Sequence, residues 1–148
     1  MKVCFHPHVG TGIQSLDEID RLMKLTDPAL VGLLFDTGHS TIAGEDPVEI
    51  LKKYIGRVAH IHVKDVRSEV FEQVKSGGHS FLWGVKNGMF TVPGDGDCVD
   101  WMSIFEILKA SDYEAGSLWR PSRIPLRLIR WSTPRKRARS CASSSAYN

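Results

Sequence analysis

GLLFDTGHSTIAGEDPVEILKKYIGRVAHIHVKDVR, residues 32–67, sets a strand, a helix and a second strand in close succession, the signature of a parallel α/β architecture. The apolar run from Leu30 to Phe35 is the pattern of a parallel strand covered on both faces, and it stops at Asp36. Asp46 as N-cap, Pro47 at the first helical position and Glu49 in the first turn then predict a helix whose Val48, Ile50, Leu51 and Tyr54 form an apolar face. Gly56 ends that helix, and Val58 to Val63 is the next strand, closing on Lys64-Asp65.

The same alternation continues on both sides of this segment. Upstream, Val3 to Phe5 ends in His6-Pro7-His8, a Gly10-Thr11-Gly12 turn follows, and Leu16, Ile19, Leu22 and Met23 recur at helical spacing between Ser15 and Leu25. Downstream, Ser68 to Gly88 carries no distinctive pattern and reads as a surface loop rather than a lid. Phe90 to Val92 then leads into Pro93-Gly94-Asp95-Gly96, and Asp100 opens a helix with Trp101, Ile104, Phe105 and Leu108 on one side. Asp95 and Asp97 lack the spaced set of oxygen ligands that calcium needs, so this segment reads as a turn. A strand and helix repeating roughly every 30 residues predict crossover units on a shared parallel sheet.

In barrels and in open doubly wound sheets alike, active sites lie at the carboxyl ends of the strands. Here those ends carry His6 and His8, Asp36 and His39, and His62 and Asp65. A single strand-end histidine is usually structural. Three successive apolar runs that each stop at a metal-capable residue are not what chance placement produces, and together they predict one carboxylate and two or more imidazoles converging on one pocket. Such a nitrogen and oxygen donor set suits a catalytic Mn, Fe, Co or Zn ion. Cys4, Cys98 and Cys141 form no CxxC pair, which argues against a cysteine zinc site.

The segments FHPHVGT (5–11), GLLFDTGHSTIAGEDPVEILKKY (32–54), HIHVKDVR (60–67) and FTVPGDGDCVDW (90–101), in that order, resemble the inosose dehydratase family. The wider group is that of sugar isomerases and epimerases with a xylose isomerase-like TIM barrel. The pairing of HPHVGT with PGDG is the more specific part of the resemblance, since DTGH and HxHxKD recur across the wider group. The resemblance implies an α/β fold, a partial (β/α)8 barrel holding roughly strands five to seven and their helices. A complete barrel takes about 250 residues, more than the 148 present. In that group one divalent ion is held by an acid, an aspartate, a histidine and a final glutamate. Asp36 and His62 match two of these positions directly and His6 stands at the first acidic one, which leaves His6 or His8 as ligand or as substrate contact. The implied ion is Mn or Co. The resemblance further implies that His39 touches substrate and takes part in catalysis, with His8 and Arg67 also binding substrate. Lys64, Asp65 and Arg67 would serve proton transfer and hydroxyl recognition.

The implied reaction is dehydration of 2-keto-myo-inositol: a base removes the α proton, an enediolate forms, and an acid assists departure of the β hydroxyl. An isomerase or epimerase would form the same enediolate and return the proton, and a scaffold remnant would do neither.

Net charge +2 conceals a division of the chain. Residues 1–116 hold 11 basic and all 17 acidic side chains, whereas residues 117–148 hold 8 basic and none acidic. From Gly116 the text GSLWRPSRIPLRLIRWSTPRKRARS, with Pro121, Pro125 and Pro134, cannot continue the alternation, so the expected division is a barrel half over 1–116 and an irregular or disordered, basic non-family tail over 117–148. Read one base out of frame with permitted codons, the tail becomes a strand bearing the glutamate that the resemblance calls for, so a frameshift near Gly116 is expected. Met1 falls just before a strand resembling the fifth of eight, so the first half of the barrel is expected to be missing. Open sheet edges then predict self-association. The expected partner is a small cyclic polyol ketone or sugar. Nucleic acid is not expected, because the further metal ligands an endonuclease would need after His62 are not found. No run approaches about 20 apolar residues and the N-terminus is no secretory signal, so no membrane partner and a cytoplasmic location are expected.

Overall fold

A computed structural model describes residues 3–111 and 113. The expectations for the tail, its reading frame and the final glutamate strand lie outside these residues.

Three parallel strands, β1 (Val3–Phe5), β2 (Val31–Asp36) and β3 (Val58–His62), form one sheet in that order. Between them run α1 (Leu16–Leu25), a short α2 (Thr37–Ile42) and α3 (Pro47–Tyr54). The register sets Phe5 beside Leu33, Phe35 beside Ile61 and Asp36 beside His62, so the carboxyl ends of β2 and β3 finish level. Leu33, Phe35 and Ile61 pack with Ile19 and Met23 of α1, Ile50 and Leu51 of α3, and Trp101 and Ile104 of α6 (Trp101–Ala110). Burial of each such side chain favours folding by about 1.5–3 kcal/mol.

The helix starts follow the local chemistry. Ser15 and Glu18 form a reciprocal capping box at α1, Asp46 caps α3 ahead of Pro47, and Asp100 caps α6. Two side chains tie the layers from below. Arg57 donates to Val31 O at 2.9 Å, Met23 O at 3.1 Å and Thr26 Oγ1 at 3.1 Å, joining the start of β3 to the start of β2 and the end of α1. Asp20 of α1 accepts from Lys53 and Tyr54 of α3.

The structure departs from the expectations in three places. First, Ser68 to Gly88 is two helices rather than a loop: α4 (Ser68–Ser76) and α5 (Phe81–Lys86), joined through Gly77 and Gly78. Phe71 and Val74 of α4 bury against Val9, Ile42, Val66 and Met89 in a second core, and Ser80 caps α5. Second, Phe90-Thr91 (β5) does not extend the parallel sheet; it pairs antiparallel with β4 (Asp65–Val66) in a separate two-stranded ribbon. Third, α2, a helix that the sequence pattern does not predict, begins directly from the last residue of β2. Among the described residues no helix is long and apolar enough to cross a membrane.

Candidate functional site

Asp36 ends β2 and caps α2. Its Oδ1 accepts from Gly38 N at 3.0 Å and His39 N at 3.1 Å, which satisfies two amides at the start of the helix and leaves Oδ2 for the strand-end cluster. Around Oδ2 stand Lys64 Nζ at 2.6 Å, His62 Nδ1 at 3.2 Å and His6 Nε2 at 3.4 Å. His6 comes from the end of β1, His62 from the end of β3 and Lys64 from the turn after it. The parallel register therefore delivers all four side chains to one rim.

His6, Asp36 and His62 each offer one ligand atom, and these atoms lie within 4.8 Å of one another. The residues fit a divalent ion on the structure's own terms. The donors are two imidazole nitrogens and one carboxylate oxygen, and His6 Nε2 is buried with no hydrogen-bond partner, a cost that a ligated ion would remove. Burial is the largest influence on the His6 imidazole and holds its pKa below the usual value, against the pull of Asp36; a ligand must be neutral to bind. Burial pushes the Asp36 carboxyl up, but the hydrogen bond and charge of Lys64 and the His39 amide outweigh it, so the group stays ionised below the usual carboxylate range.

Beside this cluster lies an aromatic wall. His39 of α2 is 5% exposed, its ring centroid is 3.7 Å from that of His8, and Phe81 and Phe90 flank it at 5.9 and 5.2 Å. Burial is the main reason that the His39 pKa falls to about 3, so the ring is neutral across the physiological range, and its Nδ1 is buried without a partner. His8 Nδ1 lies 2.7 Å from Val9 O.

Asp65 and Arg67 are not brought to the cluster. Asp65 is 1% exposed, and both its oxygens are engaged: Oδ2 accepts from Trp101 Nε1 at 2.8 Å and Gly94 N at 3.0 Å, and Oδ1 accepts from Val66 N at 2.8 Å. A Cβ at Gly96 would stand 2.5 Å from Asp65 Oδ1, which explains glycine in that turn. Arg67 donates to Gly88 O, Thr91 Oγ1 and Asp95 Oδ2, bracing the β4–β5 ribbon. Asp97 accepts from the Ser68 amide and hydroxyl at the start of α4, so the acidic turn serves packing and capping.

Three residues escape a reading of pattern alone. Thr37 Oγ1 accepts from Lys64 N at 2.9 Å and donates to Lys64 O at 2.7 Å, locking the backbone that presents Lys64. Phe81 and Phe90 wall the imidazoles. Thr37 has a faint signal in its place after the strand-ending aspartate; Phe81 and Phe90 have none, because the contacts that bring them in are long-range.

Inosose dehydratase of Clostridium beijerinckii is 55% identical over 114 residues, which are 77% of this chain and 38% of that protein. Inosose dehydratase of Clostridium tetani is 51% identical over 127 residues, 86% of this chain and 42% of that protein. The chain thus spans well under half the length of these curated relatives. Among solved structures, one described as the probable 3-DHS dehydratase AsbF from Bacillus anthracis superposes with a TM-score of 0.60. It covers 78% of this chain and 42% of that one at 20% identity, a likeness that speaks for the fold. The sequence model of the xylose isomerase-like TIM barrel matches residues 1–118, and the chain belongs to that family.

Proposed function

We propose that this chain supplies the metal-binding half of an inosose dehydratase, removing water from 2-keto-myo-inositol. The observation that carries the proposal is the meeting of His6, Asp36 and His62 at level strand ends, in a chain 55% identical over 114 residues to an inosose dehydratase. In this reading residues 1–116 correspond roughly to strands five to seven of the barrel, 117–148 is a separate non-family tail, and the protein works in the cytoplasm. His6, Asp36 and His62 would hold the ion, with Mn or Co best suited. When bound, a divalent ion supplies Lewis-acid polarisation of a ketone oxygen.

The chain's own groups account for the proton movements. His39, buried and with Nδ1 unpartnered, would receive the proton α to the ketone as the negative charge of the enediolate develops beside it, a charge that offsets the burial now holding its pKa down. Lys64, an ammonium at the rim, gives a proton to the departing β hydroxyl, which leaves as water. His8, ring against ring with His39, fixes the plane of that imidazole and would meet a substrate hydroxyl beside it. Asp65 and Arg67 act by positioning: Asp65 anchors the turn after Lys64 to Trp101, and Arg67 holds the β4–β5 ribbon.

The test is to incubate the chain and 2-keto-myo-inositol with Mn or Co and follow the absorbance of the dione product, with Asp36→Ala and His62→Ala as controls. Metal-dependent product formation lost in both variants is expected. Product formation no greater than that of the ion alone would overturn the dehydratase reading, and proton exchange without loss of water would replace it with an isomerase or epimerase.

A further inference from the structure

The two oxygens of Asp36 have separate duties, and every cationic or imidazole group around it converges on one of them. Oδ1 is taken by the amides of Gly38 and His39, so the ion assigned to His6, Asp36 and His62 has only Oδ2 to bind. Lys64 Nζ already hydrogen-bonds that same oxygen at 2.6 Å, closer than either imidazole. A divalent ion bonds a carboxylate oxygen at about 2.0–2.2 Å, so it and the ammonium would stand only a few ångströms apart, where like charges repel strongly in a half-buried site.

We propose that Lys64 is a resident counter-cation of Asp36, which neutralises the carboxylate in the metal-free protein and must leave Oδ2 when a divalent ion binds, so that it sets metal affinity by competition. This rests on reading His6, Asp36 and His62 as the metal site.

The surroundings of Lys64 suit such an exchange. Its backbone is pinned on both sides by Thr37 Oγ1, so the strand end cannot follow the ammonium. Its side chain is 33% exposed and free to swing toward solvent. The ring of Phe90, whose centroid already lies 5.4 Å from Nζ, is a contact that the ammonium can keep as it moves off Oδ2. A lysine that merely orients Asp36 makes the opposite prediction, because removing it would disorder a ligand and weaken binding.

The experiment is calorimetric titration of the full chain with MnCl2 and with CoCl2. Lys64→Met should bind about tenfold tighter than wild type or better, Lys64→Arg, which keeps the charge, should stay within about threefold of wild type, and Asp36→Ala should not bind. A second measurement needs no variant: brief acetylation with acetic anhydride, read by peptide mass, should label Lys64 several-fold more after Mn saturation, with Lys24 and Lys109 unchanged. Wild-type binding together with equal or weaker binding by a folded Lys64→Met overturns this inference and leaves the metal reading standing. No binding by either protein overturns both. Should Lys64→Met fail to fold by circular dichroism, unchanged Lys64 labelling on Mn saturation overturns the inference alone.

Discussion

Asp65, one residue beyond Lys64, owes its place to packing rather than chemistry. With Trp101 Nε1, Gly94 N and Val66 N all donating to it, truncation leaves buried donors without acceptors. Asp65→Ala should therefore lower the unfolding free energy by about 3 kcal/mol, read from urea midpoints, and Asp65→Asn, which keeps an acceptor, should recover part of that loss. Tyr54 carries a pH dependence of its own. Burial, followed by the Asp20 carboxylate it donates to, raises the phenol pKa to about 12. A pKa above the unfolded value of about 10 means that the folded state holds the proton more tightly, so this contribution is complete below pH 10 and disappears as the pH rises toward 12. Urea melts at pH 9.5 and 11.5 should show a larger alkaline loss for wild type than for Tyr54→Phe. The identities at the strand ends were legible in the sequence, since His6, Asp36 and His62 each stop an apolar run. The side-chain partners of Asp65 and Arg67 were not, because Trp101, from the first core, and Thr91, from the facing strand of the ribbon, stand 36 and 24 residues away along the chain.

Among the elements, those with a regular period and a capping residue could be read: α1 behind Ser15, α3 behind Asp46 and Pro47, α6 behind Asp100. The segment forming α2 could not, because Thr37 to Ile42 is buried on every side and so shows no amphipathic stripe. The α4–α5 pair was obscured by the glycines between its halves, and the antiparallel pairing of β4 with β5 depends on partners about 25 residues apart, which no local pattern records. The docking of α2 is close at one point: a Cβ on Gly38 would meet Phe90 Cε1 at 2.8 Å and Lys64 Cβ at 2.9 Å. Gly38→Ala should accordingly destabilise by about 1–3 kcal/mol in denaturant melts despite its better helix propensity, as the ribbon is pushed off the helix.

At the scale of the molecule, β1 and β3 are each paired on one side only among the described residues, and Val3 of β1 is exposed. Unpaired backbone on both flanks of a parallel sheet is a template for further pairing. We expect sedimentation at micromolar concentration to report species larger than one chain, with a melting temperature that rises with protein concentration; a sharp monomeric melt independent of concentration would refute this. The barrel ancestry was readable because apolar runs alternate with helices along much of the described chain, from β1 to α6. The double duty of Asp36 has a last consequence, for inheritance. Since the turn from β2 into α2 is built on one oxygen of that carboxylate, natural selection cannot discard the aspartate when catalysis ceases to matter without also rebuilding the turn. A descendant that has lost its enzymatic use should let its histidines drift while keeping this aspartate, so an aspartate retained at this turn in a distant relative testifies to ancestry before it testifies to an enzyme.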